Sequence, residues 1–516
     1  MKKSTMESRK PFAALFALPV AALCSMLAGC NVGPKYLPPS MTAPSAFKEL
    51  PAQSNESGGW TVAQPQDAAL RGKWWEIYNE PDLNSLEDEL NVDNQNIRQA
   101  FENFMEARAL VREARSQYFP TVSVGGSYTR SQSSANLSSS ATSGTSGGKQ
   151  TQVFSLPADV SWEPDLWGKV RNAVHASQYN AQLSAADLEN ERLTEQASLA
   201  EFFFEIRGQD ALQKILNDTV AADKKALDAV QAAYNTGVGD QISVVEAHTT
   251  YESAQSAAIN LGIARAQYEH AIALLVGKQA SIFSIPVEPK TSSPPPIPVG
   301  LPSQLLERRP DIAAAERNMA AANAQIGVAR AAFYPSLTLS ATGGVESSAI
   351  KNLLDWPSRF WSVGPSISET VYDGGLRRAT VNQYTATYNA NVAAYRQSVL
   401  AAFQQVEDSL AEVRILSQQI LRQQEAVDSS KTFLQLELTR YDSGIDPYID
   451  VVTAQTTLLS NEQSLTNLQV QEMTASVQLI EALGGGWDRS ELPTSAQITQ
   501  APPKAGGAMS GTAMKK

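Results

Sequence analysis

Two stretches of this chain spell one motif 215 residues apart: Arg115 to Val124 reads R-S-Q-Y-F-P-T-V-S-V, and Arg330 to Leu339 reads R-A-A-F-Y-P-S-L-T-L. Trp162-Glu-Pro-Asp-Leu-Trp-Gly-Lys-Val-Arg171 has a weaker echo in Ser368-Glu-Thr-Val-Tyr-Asp-Gly-Gly-Leu-Arg377. Tyr234-Asn-Thr-Gly237 returns as Tyr441-Asp-Ser-Gly444, and Val276-Gly277 as Leu483-Gly484, both at an offset of 207. The offset falls across a Ser/Gly-rich insert that only the first half carries. Solenoid units repeat every ~20–50 residues, so a period near 210 means a duplicated half. Whatever each half builds, the fold contains twice.

Each half holds one very long helical segment. Lys169 to Thr236 has no proline and only Gly208, and Leu376 to Ser443 has neither proline nor glycine; both span 68 residues. At ~1.5 Å per residue an unbroken helix of that length reaches roughly 100 Å, several times the usual three or four turns. Leu212, Leu216, Val220, Leu227, Val230 and Tyr234 keep a coiled-coil-like spacing. A further helical segment is expected over Leu83–Tyr118, again free of Gly and Pro.

Between the helices lie four stretches of period-two alternation: 121–129, 153–163, 336–343 and 360–371. Val122, Val124 and Tyr128 oppose Thr121, Ser123 and Ser127; Leu337, Leu339 and Ala341 oppose Ser336, Thr338 and Ser340. One apolar and one small-polar face suits a membrane barrel strand or a half-buried soluble sheet. Pro157 and Pro365 count against interior strands. Trp162 and Trp361 suit either interfacial anchors or core packing. Ser131 to Gln150 reads as a solvated loop within the first strand pair, and Gly344 to Arg359 is its shorter counterpart.

The first half is expected over 67–284 (with a β-hairpin at 119–163) and the second over 311–489 (hairpin at 334–371). Ile285–Pro310, with eight prolines, joins them; 490–516 reads as a disordered tail. At the N-terminus, Lys2, Lys3, Arg9 and Lys10 precede an apolar run from Phe12 to Leu27 and then Leu27-Ala28-Gly29-Cys30. That is a secretory signal over 1–29 ending in what resembles a bacterial lipobox. Cys30 is the expected lipidation site, and 30–66 a lipid-anchored tether. The expected additions are an N-acyl group and an S-diacylglycerol, with no other cofactor. Asn31, rather than Asp, at the next position points by the bacterial sorting rule to the outer membrane. Removing the signal takes away three net positive charges and one of the two cysteines, leaving −15 and a single thiol. No intrachain disulfide is possible then, and the charge argues against nucleic acid.

Open strand edges are not tolerated in lipid, and four strands cannot close a barrel. The chain must therefore associate, and three copies give twelve strands, within the even-numbered range of such barrels. The expected fold is mainly α: a trimeric 12-stranded β-barrel, four strands per chain, continuous with a long periplasmic α-helical barrel. Cys30-Asn-Val-Gly-Pro-Lys-Tyr36, Asp165-Leu-Trp-Gly-Lys169, Gly300-Leu-Pro-Ser-Gln-Leu-Leu-Glu-Arg-Arg-Pro-Asp-Ile312, Tyr372-Asp-Gly-Gly375 and the paired Tyr-x-x-Gly turns occur in that order. In these the chain, over about 30–486, resembles the outer membrane factor family, the TolC-like and OprM-like exit ducts of efflux pumps, in its lipoprotein branch. The resemblance implies a homotrimer with an equatorial belt, a periplasmic adaptor protein and an inner-membrane transporter of the resistance-nodulation-division (RND) type. It implies passive conduction of drugs or other small toxic compounds.

Both Tyr-x-x-Gly turns end the long helices, so they mark the expected periplasmic mouth; Gly237 and Gly444 also suit plain helix C-caps. In the family the second turn narrows the duct, and carboxylates near it bind cations. By that resemblance Tyr441, Asp446 and Asp450 are the candidate constriction, Asp450 by its place in Ile449-Asp-Val-Val. Asp450 reads alternatively as a solvated helix start. Thr453 replaces a second family carboxylate, and Asp446 stands where some members carry a base. The turn residues Gly237, Val238, Gly239, Gly444 and Ile445 are the candidate adaptor-docking surface. Arg308, Arg309 and Asp311 flank a proline at an expected helix start and read as structural.

His175, His248 and His270 fall in no H-E-x-x-H or related ligand pattern, and there is no G-x-S-x-G elbow. An enzyme and a resident metal are therefore not expected. The rivals are an exit duct for type I protein secretion and a structural trimeric lipoprotein. Trimeric adhesins place their four strands consecutively at the C-terminus, whereas here they come in two distant pairs.

Overall fold

The computed structural model describes residues 31–41, 44, 46–49, 72–134, 150–299 and 305–500. Cys30, the signal segment, 42–43, 45, 50–71, the outer part of the 131–150 loop, 300–304 and 501–516 lie outside the described residues.

The two long helices run almost to their sequence limits: α3 over Lys169–Asn235 and α6 over Leu376–Asp442. Each folds back through a short turn onto a 35-residue helix, α4 over Gln241–Leu275 and α7 over Tyr448–Ala482. Before them come α1 (Pro81–Asp93) and α2 (Gln95–Ser116) in the first half and α5 (Pro310–Ala331) in the second. α3 packs along α4, α5, α2 and α7, while α6 packs along α5 and α7. No described helix is long and apolar enough to cross a membrane.

The echoed motifs form equivalent structures. Asp165 accepts from the Val170 and Arg171 amides and the Arg171 Nε, each at 3.0 Å, at the start of α3. Asp373 does the same for the Gly375 and Arg377 amides and the Arg377 Nε, at 2.9, 3.2 and 2.7 Å, at the start of α6. Gly168 and Gly375 stand at both N-caps with φ of 80° and 93°, in the left-handed region that disfavours a Cβ.

Leu83–Tyr118 is not one helix. Asn94 separates α1 from α2 because its side chain accepts from the Asn96 and Ile97 amides at 2.9 and 3.0 Å, an N-cap. Its amide nitrogen also ties α2 to Glu195 of α3 and to the Leu275 carbonyl at the end of α4.

All strands join one antiparallel sheet: β1 (Thr121–Val124) and β2 (Ser127–Gln132) pair with β3 (Gln150–Trp162), β3 with β4 (Ser336–Ser347), and β4 with β5 (Arg359–Ser368). The expected strand 121–129 is split. Residue 125 stands opposite Pro157, whose carbonyl accepts from the Gly125 amide at 3.0 Å. Pro157 has no N–H to return that bond, so the ladder lapses there. Contrary to the sequence argument, Pro157 lies on an interior strand, held between β1–β2 and β4. Opposite it is Gly344, where a Cβ would come 2.2 Å from the Leu156 carbonyl oxygen, so glycine is required. Among the described residues, the outer edges of β1–β2 and β5 have no partner strand. The apolar face has no cover either: Val122, Val124, Trp361, Val363 and Ile367 are all at least two-thirds exposed. A half-buried soluble sheet does not look like this. Trp361 is bare, while Trp162 is partly buried and donates to the Tyr118 carbonyl at 3.0 Å.

The main core sits near the middle of the molecule. Trp74, Trp75 and Tyr78 pack with Phe203, Phe204 and Ile206 of α3 and Val477, Leu479 and Ile480 of α7, and Ile285, Ile297 and Val299 of the proline-rich linker close over them. Arg309 makes a two-pronged bond to Asp311 at 3.0 and 2.7 Å and donates to the Ala482 carbonyl at 2.8 Å, pinning the start of α5 to the end of α7. The tail is ordered further than its composition suggests. A short helix, α8 (Ser495–Thr499), has a capping box at Thr494 and buries Ile498 against Val111 and Ala181. Arg108 donates to the carbonyls of Gln497, Ile498 and Gln500. One apolar side chain and one arginine fix a stretch that Pro, Ala and Ser content had assigned to disorder.

Candidate functional site: the two helix turns

Both long helices end in the same way. Gly237 and Gly444 have φ of 77° and 69°. The Gly237 and Val238 amides donate back to the Tyr234 and Ala233 carbonyls at 3.0 and 3.1 Å, and the Gly444 and Ile445 amides to Tyr441 and Arg440 at 2.9 Å each. This satisfies the last carbonyls of each helix and leaves Val238 and Ile445 projecting, 87% and 65% exposed. The Gly239 amide donates to Ala233 at 3.0 Å. A Cβ on Gly239 would sit 3.0 Å from the Tyr234 nitrogen, so this turn tolerates no larger residue without shifting.

At the second turn the structure brings Asp446 and Asp450 together and adds a carboxylate from the helix before them. One carboxylate oxygen each of Glu437, Asp446 and Asp450 lies within 4.8 Å of the others. Arg440 makes a two-pronged ion pair with Asp446, its Nη2 at 2.8 Å. That guanidinium holds the Asp446 carboxyl below its ordinary value. Burial, followed by the charge of Asp446, pushes Glu437 up. Four residues thus form one net-negative cluster whose three carboxylates are half-buried.

Tyr441 is placed differently from the carboxylates. Its ring meets Tyr448 edge-on, centroids 5.5 Å apart, and packs on a buried cluster of Leu227 and Val230 (α3), Ala247 (α4), and Tyr448 and Val451 (α7). That cluster docks the second turn on the first helix pair. Thr453, in place of a carboxylate, bonds the Ile449 carbonyl at 2.9 Å. Glu437 and Arg440 were missed in the sequence because both lie before the turn, one helical turn apart. The signal available was the Glu437-x-x-Arg440 spacing on the last turns of α6. Of the histidines, His248 lies 3.8 Å from Glu252 and His175 stacks on Tyr179; among the described residues neither joins a ligand group.

Near the other end, the chain after Cys30 lies on the strand–helix junction. The Asn31 side chain accepts from Asn172 at 2.8 Å, and the Val32 amide donates to the Trp167 carbonyl at 3.4 Å. Trp167 itself stacks on Tyr334, at 4.8 Å. Tyr36 bonds the Glu316 carboxylate, and the Lys48 and Glu49 amides reach Glu407 at 2.8 and 3.0 Å. The described part of the tether is therefore extended but docked.

The family described as "outer membrane efflux protein" is matched by residues 86–278 and 301–485, one segment per half. The solvent efflux pump outer membrane protein SrpC of Pseudomonas putida is 31% identical over 491 residues, covering 92% of this chain and 99% of that one. Outer membrane protein OprJ of Pseudomonas aeruginosa is 30% identical over 485 residues, covering 93% and 97%. The open state of the MtrE outer membrane channel of Neisseria gonorrhoeae superposes with a TM-score of 0.75 at 25% identity, covering 89% and 99%. These relatives are channels rather than enzymes. With both halves matched and relatives aligned nearly end to end, the chain belongs to the outer membrane efflux protein family, as an efflux channel of the Gram-negative outer membrane.

Proposed function

We propose that three copies of this chain form the exit duct of a tripartite RND efflux pump, passing drugs or other small toxic compounds without doing chemistry on them. The observation that carries this is the open-edged antiparallel sheet with a bare apolar face, continuous with helices ~100 Å long. In lipid such a sheet must close, and three sheets laid edge to edge close as a barrel. The helix pairs then line a tube reaching deep into the periplasm.

In this reading Cys30 carries the N-acyl and S-diacylglycerol anchor. Asn31 supports it, because its bond to Asn172 holds the start of the described tether at the strand–helix junction. Tyr441, Asp446 and Asp450 form the periplasmic constriction, helped by Glu437 and Arg440. Gly237, Val238, Gly239, Gly444 and Ile445 receive the periplasmic adaptor, which joins the duct to the inner-membrane transporter. Exposed Val238 and Ile445 at the tips of both pairs suit that docking. The efflux names of the relatives favour this over protein secretion.

Single-channel current across a planar bilayer tests the reading. Wild type should conduct weakly and Tyr441→Ala/Asp450→Ala several-fold more. Equal, large conductances remove the constriction from this turn, and silence from inserted protein removes the duct.

A further inference from the structure

Asp223 lies on α3 beside the cluster that docks the second turn. It is 2% exposed, and neither carboxylate oxygen has a hydrogen-bond partner. The Tyr448 hydroxyl, on the first turn of α7, is likewise enclosed without a partner, and Asp223 is the charged group that weighs most on it. Around this seam α3 contributes Lys224 and Asp228, which pair with each other at 2.7 Å, with Lys224 over the Tyr251 ring. α4 contributes Glu246 and Tyr251, with the exposed His248 and Glu252 beyond; α6 contributes Glu437 and Tyr441; α7 contributes Tyr448 and Asp450. None of them supplies Asp223 with a cation.

An ionised carboxylate enclosed without a bond is strongly disfavoured, and the neutral acid costs far less. The cluster beside Asp223 is where the start of α7 rests on the α3–α4 pair. We propose that Asp223 is a protonation latch: as the neutral acid it lets the start of α7 stay docked on α3 and α4, and its ionisation loosens that contact. The latch deepens the duct reading, because it places control of the mouth at this seam.

Burial pushes the Asp223 carboxyl up from its ordinary value while docked; undocked and hydrated, it returns to about 3.9. A raised value in the docked state means that docking is strongest below about 3.9 and weakens as pH rises through the docked value. Each unit by which docking raises Asp223 changes the docking equilibrium about tenfold. The mouth is therefore tighter in acid.

The test compares single-channel conductance of full-length wild type and Asp223→Asn from about pH 4 to pH 8, a span that begins near the ordinary carboxylate value. The carboxylates of the second turn are the same in both proteins, so the difference between them isolates Asp223. Wild type should conduct more as pH rises, and Asp223→Asn should stay near the acid level. Parallel profiles overturn the latch. Absence of current in both overturns the duct instead, and a second measurement then decides the latch without a substitution at Asp223. Spin labels at Lys225→Cys and Ile449→Cys, both exposed, should move apart between pH 5 and pH 8. An unchanged distance overturns the proposal.

Discussion

Arg309 shows how one side chain can tie the first long helix of the second half to its last. It is nearly buried, bonds Asp311 with both prongs and caps the Ala482 carbonyl. Removing one partner of such a pair strands the other. Arg309→Ala should therefore cost about 2–3 kcal/mol and lower the thermal midpoint. Arg309→Lys should recover only part of this, since an ammonium cannot grip a carboxylate with two parallel bonds. Arg440 has an electrostatic role instead: it is the one cation in contact with the carboxylates described at the second turn. Arg440→Ala should make the pore more cation-selective, read as a shift in reversal potential under a salt gradient. Unchanged selectivity would place the cluster away from the conduction path.

Among the elements, one close helix approach is read from a missing side chain. A Cβ on Gly208 of α3 would lie 2.3 Å from Cγ2 of Val470 on α7. Alanine favours a helix by about 1 kcal/mol over glycine, but overpacking a tight contact costs about 1–3 kcal/mol. Gly208→Ala should therefore destabilise on balance, and Val470→Ala should partly rescue it, a coupling visible in a double-mutant cycle by thermal unfolding. The helices themselves were legible in the sequence, since 68 residues almost without Gly or Pro leave little else to form. Their interruptions were not. Asn94 stops a helix because Glu195 and the Leu275 carbonyl are there to use its amide, and Ile498 orders a polar tail because Val111 and Ala181 are there to cover it. Pro157 tells the same story in the sheet: Gly344 makes an interior proline tolerable, from 187 residues away. Each depends on a partner distant in sequence, which local propensity cannot reveal.

The molecule as a whole reads as one part of something larger. Its duplicated plan, its strand pairs and its tapered turns were visible as repeated words. At the second turn, Asp446 and Asp450 could be placed from the sequence, Glu437 and Arg440 lie on the helix turns just before it, and Asp223 comes near Tyr448 only through helix packing. Two unpartnered sheet edges and an uncovered apolar face cannot persist in lipid as a single chain. The central claim is that the edges are satisfied by two further copies. Native mass spectrometry of the full-length protein released from mild detergent measures this most directly. The account predicts three copies, each carrying the mass of its N-terminal lipid, with no stable smaller species. A stable monomer or dimer would contradict it.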